Sequence, residues 1–121
     1  GQLLVRGNQI ELRQVVLNLI LNSLEAMSTV DWPERSVYVT TQLMPGEMIR
    51  LSVRDEGPGL DEHSIRLAFD PFYTTKPSGM GMGLAIARTI VEAHGGVIWA
   101  ANDPVRGALF QLTLPLAFVE Q

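Results

Sequence analysis

The chain has 121 residues, of which 46% are hydrophobic, and its formal net charge is -4. This length is typical of one domain with a single packed core, and the acidic balance argues against a general affinity for nucleic acid. Cysteine is absent, which excludes disulfides, thiolate metal sites and cysteine nucleophiles. No apolar run approaches the roughly 20 residues of a membrane span, and no signal peptide opens the sequence. We therefore expect one domain over residues 1–121, with no nucleic-acid partner and no direct membrane contact.

The first predicted element is a helix from Asn8 to about Met27. Asn8 can cap its first turn, with Glu11 reaching back three residues later. At roughly 100° per residue, Asn18 and Asn22 stack on one polar stripe of a helix that is otherwise almost wholly apolar. The opposite side comprises Leu12, Val16, Leu19, Ile20, Leu24 and Met27. The pattern predicts a helix buried apart from one narrow polar seam.

The two stacked asparagines are the strongest indication of function. A buried amide without a partner costs on the order of 1–3 kcal/mol, so the pair implies something polar or ionic facing it. The alternative is a pair of core amides that find their partners within the protein. The seam alone leaves both interpretations open.

The rest of the chain alternates strands, helices and turns. The sequence predicts a hairpin with strands over 37–43 and 49–53, a short helix opened by Asp61 or Ser64 and ending at Leu67, a loop over 70–81, a helix from Gly83 to Gly95-Gly96, and strands over 97–101 and 109–114. Period-two apolar alternation favours the strands, while glycine and proline mark the turns. This order predicts an α/β fold, a two-layer α/β sandwich in which one sheet carries helices on one face.

A carboxylate occupies a core position of the hairpin. Ile49, Leu51 and Val53 define the buried face of the second strand, and Asp55 is the next member of that series. The glycines of Glu56-Gly57-Pro58-Gly59 then let the backbone turn sharply and approach a ligand closely. An ionised aspartate that faces the interior needs donors, which the exocyclic amine of adenine and a local water would supply. The alternative is a strand-end aspartate that caps its own turn.

A glycine-rich segment, Gly79-Met80-Gly81-Met82-Gly83-Leu84, leads into the second long helix. Alternating glycines leave amides free to line a phosphate chain, and the helix N-terminus adds unpaired N–H groups. The spacing and the poor strand before it exclude a dinucleotide fingerprint. Lys76 is a candidate cation for a terminal phosphate. The alternatives are a glycine loop without a ligand and a solvated surface lysine.

The order of these motifs is more specific than any one of them. The asparagine pair, Asp55-x-Gly57-x-Gly59, Phe69-Asp70-Pro71-Phe72 and Gly79-x-Gly81-x-Gly83 follow one another, and Glu92-Ala93-His94-Gly95-Gly96 comes after them. Over residues 6–115 this order resembles the N, G1, F and G2 boxes of the catalytic and ATP-binding domain of sensor histidine kinases, in the GHKL (HATPase) superfamily. The nitrogen-regulation and oxygen-sensor kinases are the most similar type. The resemblance implies the Bergerat ATP-binding fold, with a mixed, mainly antiparallel sheet that possesses one more strand before Arg6 in other family members.

The resemblance also implies site residues. Asn22 would bind Mg²⁺, for which an amide oxygen is a suitable hard ligand, and Asn18 would lie beside the phosphates. Asp55 would bind the adenine amine, and an ATP lid would span about 60–82. The other residues implied at the nucleotide are Gly57 and Gly59 over the base, Phe69 and Phe72 as lid anchors, Lys76 at a phosphate, and Gly79, Gly81, Gly83 and Leu84 along the phosphate chain. Leu109 stands where many relatives have a threonine, so this chain departs from the family at a water-mediated contact to adenine.

The implied activity is transfer of the γ-phosphoryl group of ATP to a histidine. Hydrolases of the superfamily carry a glutamate one helical turn before the metal-binding asparagine, whereas this chain has Asn18, whose amide cannot accept a proton. No catalytic side chain is predicted, because phosphoryl transfer depends chiefly on positioning and charge neutralisation. His63 suits a surface residue and His94 a cation at a helix end, so neither has the context of a phosphoacceptor.

The implied cofactors and partners follow from that activity. ATP and Mg²⁺ are the cofactors, and the partners are the phosphoacceptor histidine domain of a homodimeric parent kinase and a response regulator. The domain would be cytoplasmic, in a parent that can be membrane-anchored. Two alternatives stay open, a nucleotide-sensing interaction module that transfers nothing and a GHKL-type ATP hydrolase.

Overall fold

The structure is a computed structural model, and it describes residue 5 and residues 7–28, 35–71 and 83–116. Three helices and four strands lie in these ranges, in the order and of the type that the sequence predicts. They are α1 (Gln9–Ala26), β1 (Val37–Met44), β2 (Met48–Asp55), α2 (Glu62–Leu67), α3 (Gly83–Ala93), β3 (Val97–Asn102) and β4 (Ala108–Pro115).

The strands form one sheet in the order β1-β2-β4-β3. The predicted hairpin is confirmed, with Met44 opposite Met48 across the turn at residues 45–47. Within the described ranges every strand pairing is antiparallel, so the parallel part of the expected mixed sheet has no counterpart there. β2 and β4 are the central strands, and Asp55 therefore stands at the end of a strand with neighbours on both sides.

The core lies between the sheet and the pair formed by α1 and α3. The burial of β4 alternates strictly from Ala108 to Leu114, as a strand with one covered face requires. Both helices contribute residues spaced four apart, which face the same side of a helix. Within the hydrophobic core cluster, the residues with at most 1% of their surface exposed are Val15 and Leu19 of α1, Ala87 and Val91 of α3, Val53 of β2 and Phe110 of β4. The predicted two-layer α/β arrangement is confirmed.

The expectation that α1 is buried apart from a polar seam is wrong. Ile10 is 78% exposed, and Leu17, Leu21 and Leu24 are each 47–49% exposed. The covered stripe is narrow because α1 packs on α3 and the sheet through one side only, the side that carries Val15, Leu19 and Ser23. Apolar residues on all sides of a helix therefore do not by themselves place it inside a core.

Side-chain caps fix the starts of α1 and α2. Asn8 Oδ1 accepts the Glu11 N–H at 3.1 Å, as the sequence predicts. At α2 the two candidate caps are resolved in favour of Asp61, whose Oδ1 accepts the Ser64 N–H at 2.7 Å. Across the described part of the chain, no helix has both the length and the apolar content that crossing a membrane requires.

Candidate functional site

Asp55 is a fully buried carboxylate at the end of β2, with 0% of its surface exposed. Its Oδ1 accepts two backbone N–H groups, from Gly57 at 2.9 Å and from Ala108 at 3.0 Å. The bond from Gly57 is the turn cap that the alternative interpretation expects. Its Oδ2 is buried and has no hydrogen-bond partner among the described residues. One oxygen of Asp55 is therefore fixed by the fold, while the other is an acceptor without a donor.

The unpartnered oxygen limits what can bind there. A buried acceptor without a donor costs about 1–3 kcal/mol, which a ligand with an N–H group of the right geometry would offset. An ionised carboxylate only accepts, so the ligand has to donate. Because Oδ2 has essentially no accessible surface, the chain around it has to move before a ligand can reach it.

The glycines after Asp55 lie close to neighbouring segments. A Cβ on Gly57 would lie 3.1 Å from the Ala26 carbonyl oxygen, at the end of α1. Gly59 has a φ of 85°, and a Cβ there would lie 2.9 Å from Asn102 Oδ1. The Glu56 N–H also faces Met27 Sδ at 3.3 Å, next to the end of α1. The loop that follows β2 is thus pressed between α1 and the end of β3.

The polar seam of α1 joins this helix to α3. Asn18 Nδ2 donates to the Gly83 carbonyl oxygen at 3.0 Å, and Asn18 Oδ1 accepts from Gln14 Nε2 at 2.8 Å. Both ends of this amide therefore have partners within the protein, as the alternative interpretation expects for Asn18. Asn22 lies one turn further along the same stripe and is partly buried. Within the described ranges, no group of three or more His, Cys, Asp or Glu side chains is placed to hold a metal ion.

The remaining predicted residues divide into two groups. Phe69 is 7% exposed and meets Phe110 edge to face, with ring centroids 6.2 Å apart and planes at 83°. Gly83 is the first residue of α3, and Leu84 packs against the core. The four that lie outside the described residues are Phe72, Lys76, Gly79 and Gly81. α1 supports both the loop after Asp55, which it contacts at its end, and Gly83, which it contacts at its middle.

The structure adds site residues that the sequence did not indicate. The Ala108 N–H binds Asp55 although the two residues lie 53 positions apart, and a Cβ on Gly107 would collide with the Asp55 carbonyl oxygen. Leu109 is paired with Arg54, and alternation along β4 places it on the opposite face of the sheet from Ala108. Only the pairing of β2 with β4 brings Ala108 to the site, and no local pattern encodes that pairing.

His94 links the end of α3 to the start of α1. Its Nε2 accepts the Asn8 N–H at 3.0 Å, and its Nδ1 lies 2.7 Å from the Ile90 carbonyl oxygen. Because a carbonyl oxygen only accepts, Nδ1 carries the proton. Because the Asn8 N–H only donates, Nε2 carries none. The interpretation of His94 as a cation at the helix end is therefore wrong, since this arrangement holds the neutral ring.

An apolar groove of about 620 Å³ runs along the first half of α1. Val5, Leu12, Val16 and Ile20 are among its lining residues. None of the predicted site residues lines it, and it lies apart from Asp55. The chemistry that the sequence indicates is thus concentrated in the loop after β2 and in the seam of α1.

The chain belongs to a known family. Residues 7–118 match the family described as histidine kinase-, DNA gyrase B-, and HSP90-like ATPase. The sensor protein FixL of Bradyrhizobium diazoefficiens is 42% identical over 117 residues, which cover 97% of this chain and 23% of FixL. The domain is therefore of the ATP-binding GHKL type found in sensor histidine kinases, and the resemblance based on the four motifs is confirmed. It spans less than a quarter of the length of that curated relative.

Solved histidine kinases have the same fold. The nucleotide-free catalytic domain of ThkA is 35% identical, with a TM-score of 0.79 over 92% of this chain and 70% of that one. ThkA in complex with the response regulator protein TrrA is 32% identical, with a TM-score of 0.75 over 93% of this chain and 30% of that one. Full-length ShkA in complex with AMPPNP is 30% identical, with a TM-score of 0.76 over 92% of this chain and 22% of that one.

Proposed function

We propose that this domain binds Mg-ATP and donates the γ-phosphoryl group to a histidine on a separate dimerisation domain of a two-component sensor kinase. The observation that carries the proposal is the state of Asp55. Two backbone N–H groups orient its carboxylate, and its buried Oδ2 lacks a donor. A fixed acceptor of this kind is preorganised for an amine, so the carboxylate itself does not have to be reordered when the chain around it moves to admit the base.

Adenine fits this acceptor and guanine does not. The exocyclic amine of adenine would donate to Asp55 Oδ2, whereas guanine has a carbonyl oxygen at the corresponding position. Two acceptors would then face each other in a buried site, which leaves both without a donor. Gly57 and Gly59 would form the wall over the base, because their backbone lies close to Asp55 and Asn102.

The phosphates would lie along the polar seam and the start of α3. Asn22 would hold Mg²⁺, which neutralises phosphate charge, and the second hydrogen of Asn18 Nδ2 would donate to a phosphate oxygen. α3 begins at Gly83, so its first N–H groups have no partner within the helix. The ATP lid would span about 60–82, with Phe69 as its buried anchor. The other residues proposed for the lid and the phosphate chain are Phe72, Lys76, Gly79, Gly81 and Leu84.

Transfer to a histidine suits these residues better than hydrolysis does. Asn18 stands where the hydrolases of the superfamily carry a glutamate, and its amide oxygen is already occupied by Gln14. In the transfer, a nitrogen of the acceptor histidine attacks the γ-phosphorus, the bond to the bridging oxygen breaks, and ADP leaves. Both ring nitrogens of His94 contact backbone groups of this domain, which leaves neither free to attack a phosphate. The acceptor histidine would therefore belong to another domain of the parent kinase, which we propose is homodimeric and cytoplasmic. A response regulator would then take the phosphoryl group, and the ThkA complex with TrrA supports such a partner.

Calorimetric titration tests the binding step. We expect ADP and ATP to bind, GTP to bind far more weakly, and Asp55→Asn to lose about 1–3 kcal/mol of binding free energy, because an amide NH₂ would face the adenine amine. Asp103→Asn is the matched control. Its Oδ2 accepts the Val105 and Arg106 N–H groups, and its Oδ1 lies 3.9 Å from Arg54 Nε. Because no hydrogen bond joins it to Asp55 among the described residues, we expect unchanged affinity. A wild-type chain that binds no adenine nucleotide would overturn the proposal.

The transfer step needs the histidine domain of a parent kinase. We expect labelled ATP to give phosphohistidine when that domain is mixed with this one. Nucleotide binding without phosphohistidine would favour the nucleotide-sensing alternative. Steady-state release of phosphate by this domain alone would favour the hydrolase.

A further inference from the structure

Asn102 binds the loop that follows β2 through both ends of its side-chain amide. Its Oδ1 accepts the Leu60 N–H at 2.7 Å, and its Nδ2 donates to the Leu60 carbonyl oxygen at 2.7 Å. The amide thus presents to Leu60 the same donor and acceptor that a neighbouring strand would present. Because Asn102 is the last residue of β3, it extends the sheet sideways to a segment 42 positions away.

The loop from Asp55 to Leu60 is consequently held at both ends. At its start, Asp55 Oδ1 binds the N–H groups of Gly57 and Ala108. At its end, Leu60 is bound by Asn102, and Asn102 is the strand partner of Ala108. Both attachments therefore lie at one place in the sheet, where Asn102 of β3 pairs with Ala108 of β4. Residues 56–59 form the part of the loop between the two attachments.

The contact between Asn102 and the loop is also close. Gly59 has a φ of 85°, and a Cβ at this position would lie only 2.9 Å from Asn102 Oδ1. The loop backbone therefore rests directly on the amide, and the position of Asn102 sets how near residues 57–59 lie to the strand ends.

We infer that Asn102 is a positioning residue for base recognition. It holds the loop in the conformation in which Asp55 Oδ2 and the backbone of residues 57–59 face the adenine, and so it reduces the ordering that binding would otherwise require. This role rests on the proposed function. Asn102 touches neither the base nor the phosphates in this scheme and acts through Leu60 and Gly59.

The test compares Asn102→Ala with wild type by calorimetry at a temperature where both are fully folded. We expect ADP and ATP to bind about tenfold more weakly, because two hydrogen bonds that order the loop are lost. The fold-loss in affinity should be the same for ADP and ATP. The gain in ATP affinity on adding Mg²⁺ should not change, because the substitution leaves the polar seam of α1 untouched. Hydrogen exchange of the Leu60 N–H should become faster without nucleotide and slow again with ADP.

Gln42→Ala is the matched control. This amide lies at the far end of the sheet and accepts one side-chain bond from Arg50 at 2.6 Å, so its loss should leave affinity unchanged. Should Asn102→Ala not fold, Asn102→Asp keeps the acceptor for the Leu60 N–H but replaces the donor with a second acceptor that faces the Leu60 carbonyl oxygen, and a loss of at least about threefold is expected.

The outcomes separate this inference from the proposed function. A wild-type chain without adenine-nucleotide binding overturns the proposed function. A wild-type chain that binds, with a folded Asn102 variant within about twofold of it, overturns only the role of Asn102. A variant with a lower melting temperature but unchanged affinity does the same, because a merely structural residue would behave in that way.

Discussion

Gly107 provides a quantitative test of the geometry around Asp55. Its φ is 88°, and a Cβ at this position would lie 2.9 Å from Asp55 Oδ1 and overlap the Asp55 main-chain carbonyl group. Gly46 offers a matched comparison, because its φ is 81° and nothing lies within 4 Å of where its Cβ would be. Alanine at Gly46 therefore adds the backbone cost of a positive φ alone, whereas alanine at Gly107 adds that cost and a steric overlap.

The two contributions can be estimated separately. A left-handed conformation costs a residue other than glycine about 1 kcal/mol, so Gly46→Ala should lower the free energy of unfolding by about that amount. At Gly107 the obstacle is backbone of a central strand, which cannot rotate away as a side chain would. Overpacking of this kind costs about 1–3 kcal/mol more, for a total of about 2–4 kcal/mol.

Urea denaturation of the two variants measures the difference, with unchanged m-values as evidence that the same transition is compared. We also expect Gly107→Ala to weaken ADP binding, because the displaced carbonyl group belongs to Asp55, while Gly46→Ala should bind normally. Equal losses of stability in the two variants would refute the reasoning, since the overlap with Asp55 would then cost nothing.

Three further predictions concern the supports of the site. Phe69→Ala should lower the free energy of unfolding by about 3–5 kcal/mol, because it empties the buried position against Phe110; a loss under about 1 kcal/mol in denaturant titrations would contradict this. His94→Ala should cost about 1–2 kcal/mol, since it leaves the Asn8 N–H without its acceptor, and unchanged stability would show that water replaces the ring. The bond from the Ser64 backbone N–H, and next the one from its hydroxyl, lowers the pKa of Asp61 below its ordinary value. The stabilisation by Asp61 is therefore complete near neutral pH and is lost as the pH falls through that lowered pKa. The melting temperatures of wild type and Asp61→Asn should converge below about pH 4. A difference in melting temperature that is independent of pH would argue against this cap.

Local periodicity was sufficient to place the helices and strands of the described part of the chain. The inward series Ile49, Leu51 and Val53 correctly predicted that Asp55 would be buried, because alternation along a strand is a property of neighbouring residues. The order of four motifs likewise identified the family. The exposed side of α1 was not predicted, because whether an apolar face is covered depends on elements distant in the sequence.

The long-range contacts that hold the site in place could not be predicted from local sequence patterns, for the same reason. Asn102 meets Leu60 across 42 positions, and the Asn8 N–H meets His94 across 86. Neither contact produces a periodic pattern, and an asparagine at a strand end is as typical of an ordinary turn as of a link between segments. The pairing of β2 with β4 had to be known before Ala108 could be assigned to Asp55.

The two links between α1 and α3 have a consequence for local opening of the fold. Asn18 bonds to Gly83 at the start of α3, and the Asn8 N–H bonds to His94 just past its end. Because α3 is bonded to α1 at both of its ends, neither end of α3 can separate from α1 without breaking a bond and exposing the core residues between the two helices. Amide protons of the two helices should therefore exchange with solvent as one cooperative unit. Such a unit would fix the position of Gly83, and with it the start of α3, relative to the asparagine seam.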